Sequence, residues 1–217
     1  MDPLFSLSIV GLWILFILIL AIVTRKKLPS QKELSRKIIH IGTGPIIPIA
    51  WWLQIPSNWA IPISSIVTVG LLINKKLNII PAMEDIKRAS YGTIAYGLSI
   101  TIMLICFWSD YPEAVTAGIL VMAFGDGLAG LLGKNFKSRQ WKVLGQTKSL
   151  IGTITMGCIS LLSLILLNLM IGSPLHLIHL VSISILAVLL EQISYYGIDN
   201  FTVPIAISSA WYLLIRL

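Results

Sequence analysis

Charge is scarce in this chain: only 12% of its 217 residues are Asp, Glu, Lys or Arg, against 56% hydrophobic residues. Water-soluble domains carry about a quarter of their residues as charges, and a mean hydropathy of +0.89 excludes that class. Cysteine is almost missing as well. Cys106 and Cys158 each stand inside an apolar run, which excludes a disulfide framework and a thiolate zinc site and predicts small buried hydrophobes. The apolar stretch from Leu4 to Val23 has no basic residue ahead of it and runs straight into Arg25, Lys26 and Lys27. That pattern excludes a cleaved signal and predicts a retained spanning helix. There is no second domain, long linker, low-complexity tract or internal repeat, so residues 1–217 read as a single integral membrane domain.

What is abundant is apolar sequence. A hydrocarbon core of about 30 Å needs about 20 apolar helical residues, fewer where flanking side chains snorkel. Eight stretches qualify, near 4–23, 38–53, 59–73, 93–109, 112–133, 150–171, 174–190 and 202–216. The second holds Gly42, Gly44, Pro45 and Pro48, which predicts a broken helix. The last is short. The expected fold is therefore all-α, a polytopic transmembrane bundle of seven or eight spans.

The cations fix its orientation. Lys and Arg number six in residues 24–37, four in 74–92 and five in 134–149, whereas the opposite side holds only Arg216. By the positive-inside rule these three loops are cytoplasmic and the N-terminus is non-cytoplasmic. Topology thus accounts for the net charge of +7. Nucleic-acid binding is excluded, because the basic loops are short and carry no recognition motif. His176 and His179 fall on the outer side.

Several residues are left that topology does not explain. Asp126, in the segment FGDGLAGLLGK, is the sharpest. At about 1.5 Å per residue it sits about 21 Å into the fifth span, where a lipid-facing carboxylate costs about 3 kcal/mol. It should face a polar cavity, a metal or a cationic partner. Gly125, Ala129 and Gly133 recur beside it every four residues, a smooth stripe suited to helix packing. The flanking glycines, Gly125 and Gly127, alternatively leave room for a phosphate or metal at the backbone.

Further along, Lys148, Ser149, Gly152 and Thr153 open the sixth span. Free amides, the positive dipole end, a Lys and hydroxyls together make a phosphate site, though the spacing is not that of a Walker A loop. Arg36, Lys37 and His40 share one helical face, with Glu33 one turn earlier. They suit either a nucleotide's phosphates or, for the two cations, membrane anchoring. Glu84 and Arg88 have the spacing of an exposed helix pair. Glu191 and Asp199 stand in the cytoplasmic loop that has no cation, and carboxylates there suit a divalent metal of the kind used in phosphoryl transfer.

Taken together these motifs resemble those of the polyprenol kinase family. Its nucleotide signature is matched by Asp126, Ala129, Gly133, Trp141, Lys148, Ser149 and Gly152. The RKxxH opening at Arg36, Lys37 and His40, the RASYG stretch ending at Gly92, and the segment from Asp199 to Pro204 also look like the family. The length is close to that of its compact phytol kinase branch. The interval from Gly133 to Lys148 departs from the dolichol kinase pattern, with Gly145 standing closer to the Lys.

The resemblance implies a membrane-embedded transfer of the γ-phosphoryl of CTP, or of another nucleoside triphosphate, to a prenyl alcohol such as phytol. It implies Mg²⁺ or a similar cation held by Asp126 and Asp199, and acid–base or metal roles for Asp126, His40, Glu191 and Asp199. Nucleotide contacts are expected from Arg36, Lys37, Arg88, Gly125, Gly127, Ala129, Gly133, Trp141, Lys148, Ser149, Gly152 and Thr153. Two other classes fit less of the pattern, a CTP transferase resembling CDP-diacylglycerol synthases and a small transporter or scaffold.

Overall fold

The computed structural model describes residues 2–81 and 91–216. Arg88, Glu84 and most of the RASYG stretch lie outside them. Every predicted apolar stretch is helical. The helices are α1 (Pro3–Lys27), α2 (Lys32–Gly42), α3 (Ile46–Trp52), α4 (Ser57–Leu77), α5 (Gly92–Phe107), α6 (Pro112–Leu120), α7 (Gly127–Asn135), α8 (Leu150–Ile171), α9 (Leu177–Gln192) and α10 (Asp199–Arg216). Among the described residues four helical runs are long and apolar enough to cross a membrane, namely Pro3–Lys27, Ser57–Leu77, Pro112–Asn135 and Leu150–Ile171.

The predicted break in the second span falls at residues 43–45, between α2 and α3. Trp13 Nε1 donates to the Gly42 carbonyl at 2.9 Å, satisfying an acceptor at the end of α2. Gly44 lies so close to the central helix that a Cβ there would sit 2.8 Å from that of Ala123.

That central helix is the run Pro112–Asn135, in whose apolar 18-residue stretch 61% of residues are buried, against 11 to 22% in the corresponding stretches of the other three long helices. Ala114, Val115, Ile119, Val121 and Met122 have no exposed surface. α10 crosses it closely: a Cβ on Gly118 would stand 2.4 Å from the Pro204 carbonyl oxygen, so glycine is what lets the two backbones meet. Pro204 lies inside α10 and cannot donate back to the Asn200 carbonyl. Ser99 Oγ of α5 donates to that carbonyl instead, at 3.0 Å.

Two departures from expectation stand out. The basic stretch 134–149 contains an antiparallel hairpin, β1 (Gln140–Val143) and β2 (Gln146–Ser149), with Val143 paired to Gln146. Its two turn residues, Leu144 and Gly145, both have positive φ (47° and 78°), as a tight type I′ turn requires. Gly145, the position that departs from the dolichol kinase pattern, is thus a turn residue. Cys106 and Cys158, expected to be buried, are both exposed on outer helix faces. In a spanning helix the lipid side is as apolar as the core, so an apolar run cannot separate the two.

Candidate active site

Asp126 ends a π-helical turn, Val121–Asp126, that joins α6 to α7. Such turns are rare and concentrate at functional sites. In an i→i+5 turn the carbonyls no longer aim at the i+4 amides, and two of them take side-chain donors here. Met122 O lies 3.0 Å from His40 Nε2, and Asp126 O accepts from Lys37 Nζ at 3.1 Å. The Asp126 carboxylate faces the same pair, with Oδ2 at 2.8 Å from Lys37 Nζ and 3.2 Å from His40 Nε2. Both neighbours of His40 Nε2 are acceptors, which assigns its proton to that nitrogen. Gly130 lets the Lys37 chain through, since a Cβ there would be 2.7 Å from Nζ.

The expected face of α2 is therefore realised and divides its labour. Lys37 and His40 turn inward to Asp126, while Arg36 Nη2 pairs with Glu33 Oε1 at 2.7 Å. Burial alone would raise the Glu33 carboxyl. The Arg36 guanidinium, helped by Lys134 and Lys37, outweighs burial and holds it below its ordinary 4.5.

A second cluster lies where β2, α8 and α9 meet. Lys148 Nζ binds both the carboxylate and the carbonyl of Glu191. Gln192 links the surroundings: its Nε2 donates to Thr153 Oγ1 at 2.9 Å and Glu191 Oε2 at 2.8 Å, and its Oε1 accepts from Trp141 Nε1 at 3.1 Å. Ser149 caps α8, accepting from the Gly152 amide at 3.2 Å.

This geometry corrects the phosphate-site reading of the α8 start, because its amides are not free. Leu150 N donates to Arg139 O, Ile151 N to Ser138 Oγ and Gly152 N to Ser149 Oγ. The reading of the glycines as ligand room is corrected too. A Cβ on Gly125 would meet Ser160 Oγ at 2.7 Å, on Gly127 the Ile41 side chain at 2.4 Å, and on Gly133 Ser149 Oγ at 2.6 Å. Gly152 faces the Ala129 carbonyl across the same seam. The stripe packs helices together, the other use foreseen for it.

Asp199 is buried, and its Oδ1 accepts from the Asn200 amide at 3.0 Å and Nδ2 at 3.1 Å. Asp126, Glu191 and Asp199 are near enough to feel one another's charge. Among the described residues Asp126 Oδ1 makes no hydrogen bond, and no three His, Cys, Asp or Glu gather into a metal cage. Asp126 and Asp199 both line the same cavity, and carboxylate oxygens are the hard ligands a divalent cation takes.

One cavity of about 970 Å³ joins these parts. Its polar end is lined by Arg36, Lys37, His40, Asp126, Lys148 and Glu191, with Asp199 and Thr153 beside them. Gly125, Gly127 and Trp141 do not line it, whereas Ala129, Gly133, Ser149 and Gly152 do. Its other end is apolar and runs between α1, α4 and α5. Three lining residues escaped sequence reasoning: Lys134 and Gln192, which only sat beside residues singled out, and Tyr96, whose ring lies 4.8 Å from that of His40.

The chain is 40% identical to a phytol kinase of Synechocystis sp. over 81% of its own length and 77% of that protein's. It is 28% identical to a probable chloroplastic phytol kinase of Glycine max, over 71% of the chain and 53% of the relative, and 28% identical to a chloroplastic farnesol kinase of Arabidopsis thaliana, over 58% and 44%. The chain spans about half the length of these two plant proteins. No family profile matches it, and no solved structure does. On its similarity to the cyanobacterial protein across most of both lengths, the chain belongs to the polyprenol kinase family.

Proposed function

We propose that this protein is a membrane-embedded kinase that transfers the γ-phosphoryl of CTP, or of another nucleoside triphosphate, to the hydroxyl of a prenyl alcohol such as phytol. The observation that carries the reading is the continuity of the cavity, which puts a charged cluster at the mouth of an apolar channel. An amphiphile with one polar atom at the end of a hydrocarbon tail fits that shape. Relatives named phytol kinase and farnesol kinase support the same acceptor class.

The chain's own residues supply most of the chemistry. Arg36, Lys37 and Lys148 line the polar end and neutralise the triphosphate, Arg36 and Lys148 exchanging their carboxylate partners Glu33 and Glu191 for phosphate oxygens while Lys37 stays on Asp126. Lys134, 3.9 Å from Glu33 and mostly exposed, guides the anion inward. Lys37 and His40 fix Asp126 Oδ2, leaving Oδ1 to accept the hydroxyl proton as the alcohol oxygen attacks the γ-phosphorus and the nucleoside diphosphate departs. The alternative role for Asp126 Oδ1 is to hold Mg²⁺ together with Asp199, in which case the cation's charge would steady the phosphates and the hydroxyl proton would pass to another carboxylate of the cluster, Glu191. The cation count supports a site on the cytoplasmic face with the N-terminus outside, in a bundle of seven or eight spans. The whole chain works as one membrane domain.

The test is turnover of purified protein with labelled CTP and phytol. The expected products are CDP and phytyl monophosphate, and Asp126→Asn should lower the rate by about 100-fold or more while leaving a folded, monodisperse protein. Release of pyrophosphate would instead indicate a CTP transferase, and undiminished turnover in Asp126→Asn would remove the central assignment.

A further inference from the structure

We propose that Trp108 closes the far end of the apolar channel and gauges the acceptor's tail, admitting prenyl alcohols of about three to four isoprene units in extended form. The inference rests on the kinase reading above and adds to it a limit on substrate length.

Each helix around the channel contributes a single stripe. On α5 the large lining side chains Tyr96, Ile100 and Leu104, continued by Trp108 at its C-cap, recur every four positions beside Gly92, Thr93 and Gly97. On α4 the stripe runs from Ala60 to Leu71, and on α1 from Leu7 to Leu18. Tyr96 marks the reacting end, because its ring packs on that of His40. Trp108 is the last lining residue of its series and is 5% exposed. Its indole cannot swing aside freely: Nε1 donates to Ile55 O at 2.8 Å, and Ile55 also lines the cavity. A bulky ring thus stands tethered across the end opposite the charges.

The length follows from helix geometry. Tyr96 on α5 and Trp108 at its C-cap, still in helical conformation, are twelve positions apart, which at about 1.5 Å per residue separates them by about 18 Å. An extended carbon chain advances about 1.25 Å per bond, so the four main-chain carbons of an isoprene unit cover about 5 Å. Three units fit easily and four reach the indole. A tail that instead left the channel sideways between α1 and α4 would meet no such limit.

The experiment measures kcat/KM of the full-length protein for geraniol, farnesol, geranylgeraniol and the much longer solanesol, alongside the rise in melting temperature each alcohol produces. The wild type should favour geranylgeraniol over solanesol by about tenfold or more. Trp108→Ala should raise solanesol relative to geranylgeraniol by about tenfold. Ala60→Phe, which narrows the far end while leaving Trp108 itself in place, should move the preference from geranylgeraniol to farnesol and keeps the test alive if Trp108→Ala does not fold. A flat length profile in the wild type, or the same profile in wild type and folded variants, overturns the gauge while leaving the kinase reading intact. If no alcohol is phosphorylated, yet the melting-temperature rise peaks at geranylgeraniol and moves with the variants, the gauge stands and the kinase reading falls. Flat responses in both measurements overturn the gauge outright.

Discussion

At the scale of single residues, the chemistry lies in how each buried charge is matched. Asp126 has two partners on α2, and removing one from a buried, hydrogen-bonded group costs about 3 kcal/mol or more. Lys37→Met should therefore lower the melting temperature, and a double-mutant cycle with Asp126→Asn should return a large coupling term, since both variants break the same contact. Glu33 makes a different prediction. Its folded-state pKa lies below the ordinary 4.5, so its stabilising contribution is present above the unfolded value and is lost as pH falls through the folded one. Melting curves of wild type and Glu33→Gln should differ near neutrality and converge in acid; a gap that widens on acidification would contradict the assignment. Asp126 was legible in the sequence because a carboxylate deep in an apolar run demands a partner. Gln192 was not, because nothing in its neighbourhood sets a glutamine apart until the fold brings Thr153 and Trp141 to it.

At the scale of elements, the seams between helices are made of glycine. Gly118 meets the Pro204 carbonyl and Ser208, and overpacking of this kind costs about 1 to 3 kcal/mol. Gly118→Ala should lower the melting temperature by several degrees, and the loss should persist in a Ser208→Ala background because the obstructing carbonyl is backbone. Helix positions could be read from apolar run length, and the break before α3 from its Gly and Pro content. Three features were not readable. The π turn at Val121–Asp126 leaves no compositional mark. The hairpin at 140–149 has only four residues per strand and its second strand is polar throughout, so the two alternating apolar residues of the first, Trp141 and Val143, were too short a signal to read. The amides at the start of α8 look free in sequence, because their partners Ser138 and Arg139 come from before the hairpin.

At the scale of the whole molecule, every element end that carries a site residue is gathered to one pole. The Tyr91 amide meets the Tyr196 carbonyl there, and Lys75 sits over the Tyr91 ring at 3.8 Å. His176 and His179 cap the opposite end of α9. A single cysteine placed at Lys142 should react with membrane-impermeant maleimide only from the cytoplasmic side, and one at Ser173 only from the outer side. Labelling of both from one side would refute the topology. The cavity that runs from charge to hydrocarbon also sets how such an enzyme must be assayed. Its two reactants arrive from different phases, one dissolved in water and one dissolved in lipid. The effective concentration of the alcohol is then its mole fraction among the surrounding lipids, so adding inert lipid at fixed total alcohol and protein should slow turnover as strongly as removing alcohol, while leaving saturation by the nucleotide untouched.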